Sequence, residues 1–175
     1  MIRPINQAIL SLLFLFCMTC QSANLDVMID YGKDWRIANE DDNINDWAVH
    51  DAPNKLIADF DGDGHDDIAR ILLKRNGKFG TKTVAVVSNY GNPKQFTLFE
   101  NKDMQAQSFS LELLKPSDEV WESACQKGYY DCEEGDIRQF KITKPTLYLC
   151  YIEVACTVHL WSSHEGKFIE VPLSD

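Results

Sequence analysis

Residues 56–88 read LIADFDGDGHDDIARILLKRNGKFGTKTVAVVS, and this stretch decides how the chain is to be read. Its second part sets the fold. Residues 68–74 are rich in Ile and Leu, residues 75–78 form a turn in which Gly77 tolerates positive φ, and residues 81–88 carry three valines and two threonines. Such β-branched side chains suit a pleated, half-buried surface. Residues 89–93 bring Asn, Gly and Pro for a further turn. Residues 95–100 then alternate, with Phe96 and Leu98 on one face and Thr97 and Phe99 on the other. Residues 68–100 therefore predict an antiparallel three-strand meander.

The first part carries the chemistry. Asp59-Phe60-Asp61-Gly62-Asp63-Gly64-His65-Asp66-Asp67 fits D-x-D-x-D-G-x-x-D. Calcium takes six to eight oxygens at roughly 2.3–2.6 Å, largely from carboxylates and backbone carbonyls. Alternate residues of a tight loop turn Asp59, Asp61 and Asp63 toward one point, and Gly64 permits the sharp turn. The backbone carbonyl of His65 offers a further oxygen, its imidazole being incidental, and Asp67 closes the shell. Asp66 is expected to face solvent. Carboxylates gathered this closely repel unless a cation sits among them. The expected ligand set is thus Asp59, Asp61, Asp63, His65 and Asp67, and the expected cofactor Ca2+. An EF-hand is excluded, because its twelfth position needs a bidentate Glu and here holds Arg70. Magnesium fits less well, since it prefers an octahedral, water-rich shell.

Upstream, residues 1–7 hold one positive charge, Arg3, and residues 8–18 are apolar apart from Ser11. Small or polar residues follow. This order describes a secretory signal over residues 1–23, with an apolar run too short for a spanning helix. Cys20 allows a second ending, a lipoprotein anchored through that thiol. Residues 24–45 read as a polar leader with a short element near Trp35, and residues 46–175 as a single β-rich domain. The expected location is periplasmic or secreted.

The full chain has 175 residues, six cysteines and a formal net charge of −10. Removing residues 1–23 takes away one positive charge, giving −11, and leaves Cys125, Cys132, Cys150 and Cys156. An even cysteine count in an exported chain favours disulfides. Four cysteines allow three pairings. The local one, Cys125–Cys132 with Cys150–Cys156, closes small loops and is favoured over the others and over free buried thiols. The excess of acid excludes nucleic acid as partner, because phosphate binding needs a clustered positive field.

The second half is less regular. Residues 104–114 suit a strand or a short helix. Residues 117–125 suit a helix start, with Ser117 as cap before Val120 and Trp121. Residues 139–143, 146–152, 156–162 and 168–173 are strand candidates. The fold class is mainly β, with α+β as the alternative: a small antiparallel sheet domain with one D-x-D-x-D-G loop.

Residues 56–69 resemble the calcium loop of the FG-GAP/VCBS repeat, which joins two strands of a β-propeller blade. A propeller needs at least four blades of about 40–50 residues. One copy in a chain of this length is not a complete β-propeller, so the propeller's ligand-binding face does not carry over. More widely, the loop, the stretch Ala124-Cys125-Gln126-Lys127-Gly128-Tyr129-Tyr130-Asp131-Cys132 and the closing residues 168–175 resemble small exported bacterial proteins with a single loop of this type. That resemblance implies export, the metal loop and a Cys125–Cys132 bridge, and it implies no reaction.

Enzyme constellations are not evident. The sequence has no G-x-S-x-G, no H-E-x-x-H and no Walker loop. His159, in a strand candidate, reads as a satisfied, partly buried histidine, and His50 beside Asp51 is a faint acid–base pair. Trp121, Tyr129 and Tyr130 flank the first disulfide loop and read as its cover or as a binding patch. The expected function is a non-enzymatic, exported calcium-binding domain. The alternative is a periplasmic interaction protein, such as an inhibitor or immunity factor, with an unidentified protein partner. A calcium-assisted hydrolase would need a base beside an open metal position, and no such base is evident.

Overall fold

A computed structural model describes residues 29–42, 47, 53–88 and 92–174. The expected signal sequence with Cys20, the start of the expected leader, and the pair His50 and Asp51 lie outside the described residues. The regular structure is organised around β3 (Asp67–Lys74), which is buried along all of its length except Lys74. Both of its faces are covered, so the strand reads as a near-continuous apolar run rather than an alternation. One edge of β3 pairs with β4 (Thr81–Val87), and β4 pairs in turn with β5 (Lys94–Asn101), which is the expected meander. The other edge is shared. β2 (Lys55–Ala58) lies against residues 67–70, and β1 (Trp35–Ile37) against residues 72–74. The polar leader thus contributes a strand to the first sheet.

A bulge in β5 changes the expected alternation. The register moves from Thr83↔Phe99 to Val84↔Thr97, leaving Leu98 as the extra residue. A bulge re-aims side chains by one position. Leu98 and Phe99 therefore both pack on the main core, although strict alternation puts them on opposite faces.

The second sheet has the order β11-β10-β9-β6, all antiparallel, from β6 (Phe109–Leu114), β9 (Thr146–Tyr151), β10 (Ala155–Ser162) and β11 (Lys167–Pro172). It shares one core with the first sheet. Ala69, Ile71, Leu73 and Ala85 meet Phe109, Leu111, Leu147 and Leu149, with Trp47 and Phe60 completing the cluster. Trp47 also donates its indole Nε1–H to the Phe109 carbonyl at 2.6 Å, so a large side chain is buried without orphaning its polar atom. On the outer face of the first sheet, Tyr31 and Trp35 cover Leu72, Val84 and Val86.

Residues 104–114 resolve into a 3-10 turn, Ala106–Ser108, and β6. The helix start expected over residues 117–125 is corrected: Val120–Glu122 is β7, paired with β8 (Gln139–Lys141). Trp121 stands opposite Phe140 in the register, with ring centroids 6.4 Å apart, and this cross-strand aromatic pair outweighs a lone helix cap. Trp121 and Phe140 pack on the back of the second sheet over Ile142, Val158 and Leu173. The fold is mainly β in small antiparallel sheets, and none of them closes into a barrel or propeller.

Candidate metal centre

The acidic loop closes the antiparallel pair β2–β3, in which Ala58 stands opposite Asp67. Phe60, the one large apolar residue in the acidic run, is inserted into the main core and pins the loop from beneath. Gly62 and Gly64 have φ of 80° and 90°, a left-handed backbone that side chains with a Cβ rarely adopt. Their freedom lets the loop coil around its own carboxylates. Asp59 accepts the N–H groups of Gly62 and Asp63 on Oδ1, at 2.7 and 3.0 Å, and that of Gly64 on Oδ2 at 3.0 Å. Asp61 Oδ1 accepts the Asp63 N–H at 3.0 Å.

Asp67 is the anchor. It is fully buried, with Oδ2 accepting the Phe60 N–H at 2.8 Å and Oδ1 accepting the Ser88 N–H at 2.8 Å, just beyond β4. Burial pushes its carboxyl up to about 7, against the pull of those backbone donors. Burial, and then the charges of Asp63 and Asp59, also raise Asp61. Among the described residues, no basic side chain pairs with Asp67. Lys144 lies nearby, but its Nζ donates to the backbone carbonyl of Asp61 at 2.6 Å rather than to a carboxylate. It thereby ties the loop to the segment between β8 and β9.

Asp59, Asp61 and Asp67 each bring an oxygen within 4.8 Å of the others. Two oxygens held at about 2.4 Å by one ion span about that distance, so the three carboxylates fit a hard cation of calcium's size. Asp63 stands outside this group, and its Oδ1 accepts the His65 N–H at 2.8 Å. The His65 imidazole is likewise not part of it, and Asp66 is exposed. Motif reading did not find two parts of the arrangement, the Ser88 N–H and Lys144. Each comes from far along the chain, and loop spacing holds no trace of either.

Among the described residues the four cysteines pair locally, as Cys125–Cys132 and Cys150–Cys156. Cys150 and Cys156 face each other directly in the β9–β10 register. Asp136 comes near Cys125 and Cys132, but both sulfurs are spent in the bridge, which leaves no thiolate for a metal. Tyr129 and Tyr130, beside this disulfide, are 51% and 45% exposed. His159 differs from its expectation. It is only 3% exposed, and its Nε2 has no hydrogen-bond partner among the described residues.

No protein-family model, no curated protein and no solved structure matches the chain. Among the described residues, no helix is long and apolar enough to cross a membrane.

Proposed function

We propose that the protein is an exported, non-enzymatic calcium-binding domain in which Ca2+ holds the 59–67 loop and so stabilises the fold. One observation carries this reading: three carboxylates converge within 4.8 Å, and the most buried of them, Asp67, has no basic partner among the described residues. Asp59, Asp61 and Asp67 would hold the ion, with Asp63 and the His65 carbonyl as further oxygens on the motif's pattern. When bound, calcium supplies the positive charge that a buried carboxylate otherwise lacks. The likeness of the loop to the FG-GAP/VCBS calcium loop supports the same reading. The two disulfides support an oxidising compartment, periplasmic or extracellular. Calorimetric titration with calcium, together with thermal melts in calcium and in chelator, tests the proposal. One bound ion and a raised midpoint are expected.

The exposed Tyr129 and Tyr130, presented on a disulfide-closed loop, favour a second reading as an interaction protein. It requires a stoichiometric partner that the native chain captures and a chain with both tyrosines replaced by serine does not.

A further inference from the structure

The two sheets do not meet evenly. Between the bulge of β5 and the face of β9, β10 and β11 lies a cleft of about 210 Å³. The bulge places Leu98 and Phe99 side by side on its wall. Phe99, Phe109 and Tyr151 line it in a row, with ring centroids 4.9 and 5.1 Å apart. The space suits a ring compound, since a cavity of about 150 Å³ lined by apolar side chains takes up benzene. One polar side chain in the lining, His159, is buried, 3% exposed, with its Nε2 lacking a hydrogen-bond partner among the described residues.

A buried imidazole nitrogen lacking a hydrogen bond has a desolvation cost that a ligand removes. Neutral imidazole has one donor and one acceptor nitrogen, and a hydroxyl group both gives and takes, so it serves either tautomer. Glu170 stands opposite His159 in the β10–β11 register, is exposed, and also lines the cleft. Its carboxylate disfavours anionic ligands. We propose that this cleft binds a small uncharged ring compound bearing a hydroxyl, with the ring on Phe99, Phe109 and Tyr151 and the hydroxyl on the imidazole of His159. The site stands apart from the calcium reading and does not depend on it.

Three methylbenzenes that differ in the group para to the methyl test it on the full chain by NMR titration: 4-methylphenol, toluene and 4-methylbenzoate. The expected result is saturable binding of 4-methylphenol that moves the His159 ring signals, at least about tenfold tighter than toluene, with 4-methylbenzoate weaker still. Absence of 4-methylphenol binding, or equal binding of toluene, overturns the proposal. His159→Phe should equalise the two neutral probes. If that variant does not fold, Ala155→Leu at the cleft decides the matter in a chain checked by circular dichroism. Loss of 4-methylphenol binding there supports the site, and unchanged binding overturns it.

Discussion

The loop over residues 59–66 and the loop over residues 123–138 invite comparison. Each joins an antiparallel pair, and each holds four acidic residues: Asp59, Asp61, Asp63 and Asp66 in the first, Asp131, Glu133, Glu134 and Asp136 in the second. In the second loop all four are exposed, and the Cys125–Cys132 bridge closes the chain. The first loop has no covalent tie, and two of its acids, Asp59 and Asp61, turn inward to meet buried Asp67 at the start of β3. The number of acids therefore does not separate the two loops. Convergence over a buried anchor does, and here Phe60 and the paired strands enforce it.

The largest expected effect separates the two loops. Asp67→Asn keeps the shape but leaves one acceptor oxygen where two serve buried N–H groups, so it should cost about 2–4 kcal/mol in denaturant unfolding and remove the response to calcium. Asp136→Asn, in the exposed loop, should cost less than about 1 kcal/mol. Equal losses would break the comparison.

A second buried ionisable group, His159, sets a pH dependence. Burial lowers it from 6.5 to about 4. The unfolded chain takes up the proton near pH 6.5 and the folded chain near 4, so stability falls with pH between those values and is fully present above them. Wild type should lose about 3 kcal/mol relative to His159→Gln over that window, as measured by urea unfolding. Parallel curves for the two proteins would show that the ring is solvated.

Replacing Cys125 and Cys132 together by serine should cost about 2 kcal/mol, the loop-closure entropy of a short bridge. It should leave calcium affinity unchanged, because that bridge lies in the other region. A fall in affinity would mean that the two loops are coupled. A smaller effect than loss of the bridge belongs to Lys144→Ala. It removes one charged hydrogen bond to the Asp61 carbonyl and should cost about 1 kcal/mol, with a modest change in calcium affinity seen by calorimetry.

The meander of β3, β4 and β5 was legible because β3 and β4 are rich in Ile, Leu, Val and Thr, and Asn, Gly and Pro stand in the sequence between the strands. The bulge at Leu98 was not, since a single extra residue leaves the local alternation intact and only pairing with Thr83 and Val84 exposes it. The strand at Val120–Glu122 was hidden for a related reason: its stabilising partner, Phe140, is distant in sequence. Within the candidate site, the carboxylates were legible from their spacing. That Asp67 is the buried anchor, held by Ser88 from across β4, depends on tertiary pairing. His159 looked like a satisfied histidine because sequence shows the strand beneath a side chain but not the space in front of it.

The central claim is that the inward-turned loop binds calcium and thereby supports the fold. Binding to the folded state alone contributes about 2.7 kcal/mol at a hundredfold excess over Kd, which for a domain of this size raises the midpoint by about 5–10 °C. The most direct measurement is the thermal midpoint of the native chain and of Asp61→Asn, each in calcium and in chelator, with calorimetric stoichiometry alongside. The account predicts one calcium per chain and a rise of that size in the native protein, both lost in Asp61→Asn. Identical midpoints in calcium and chelator, with no heat of binding, would contradict it.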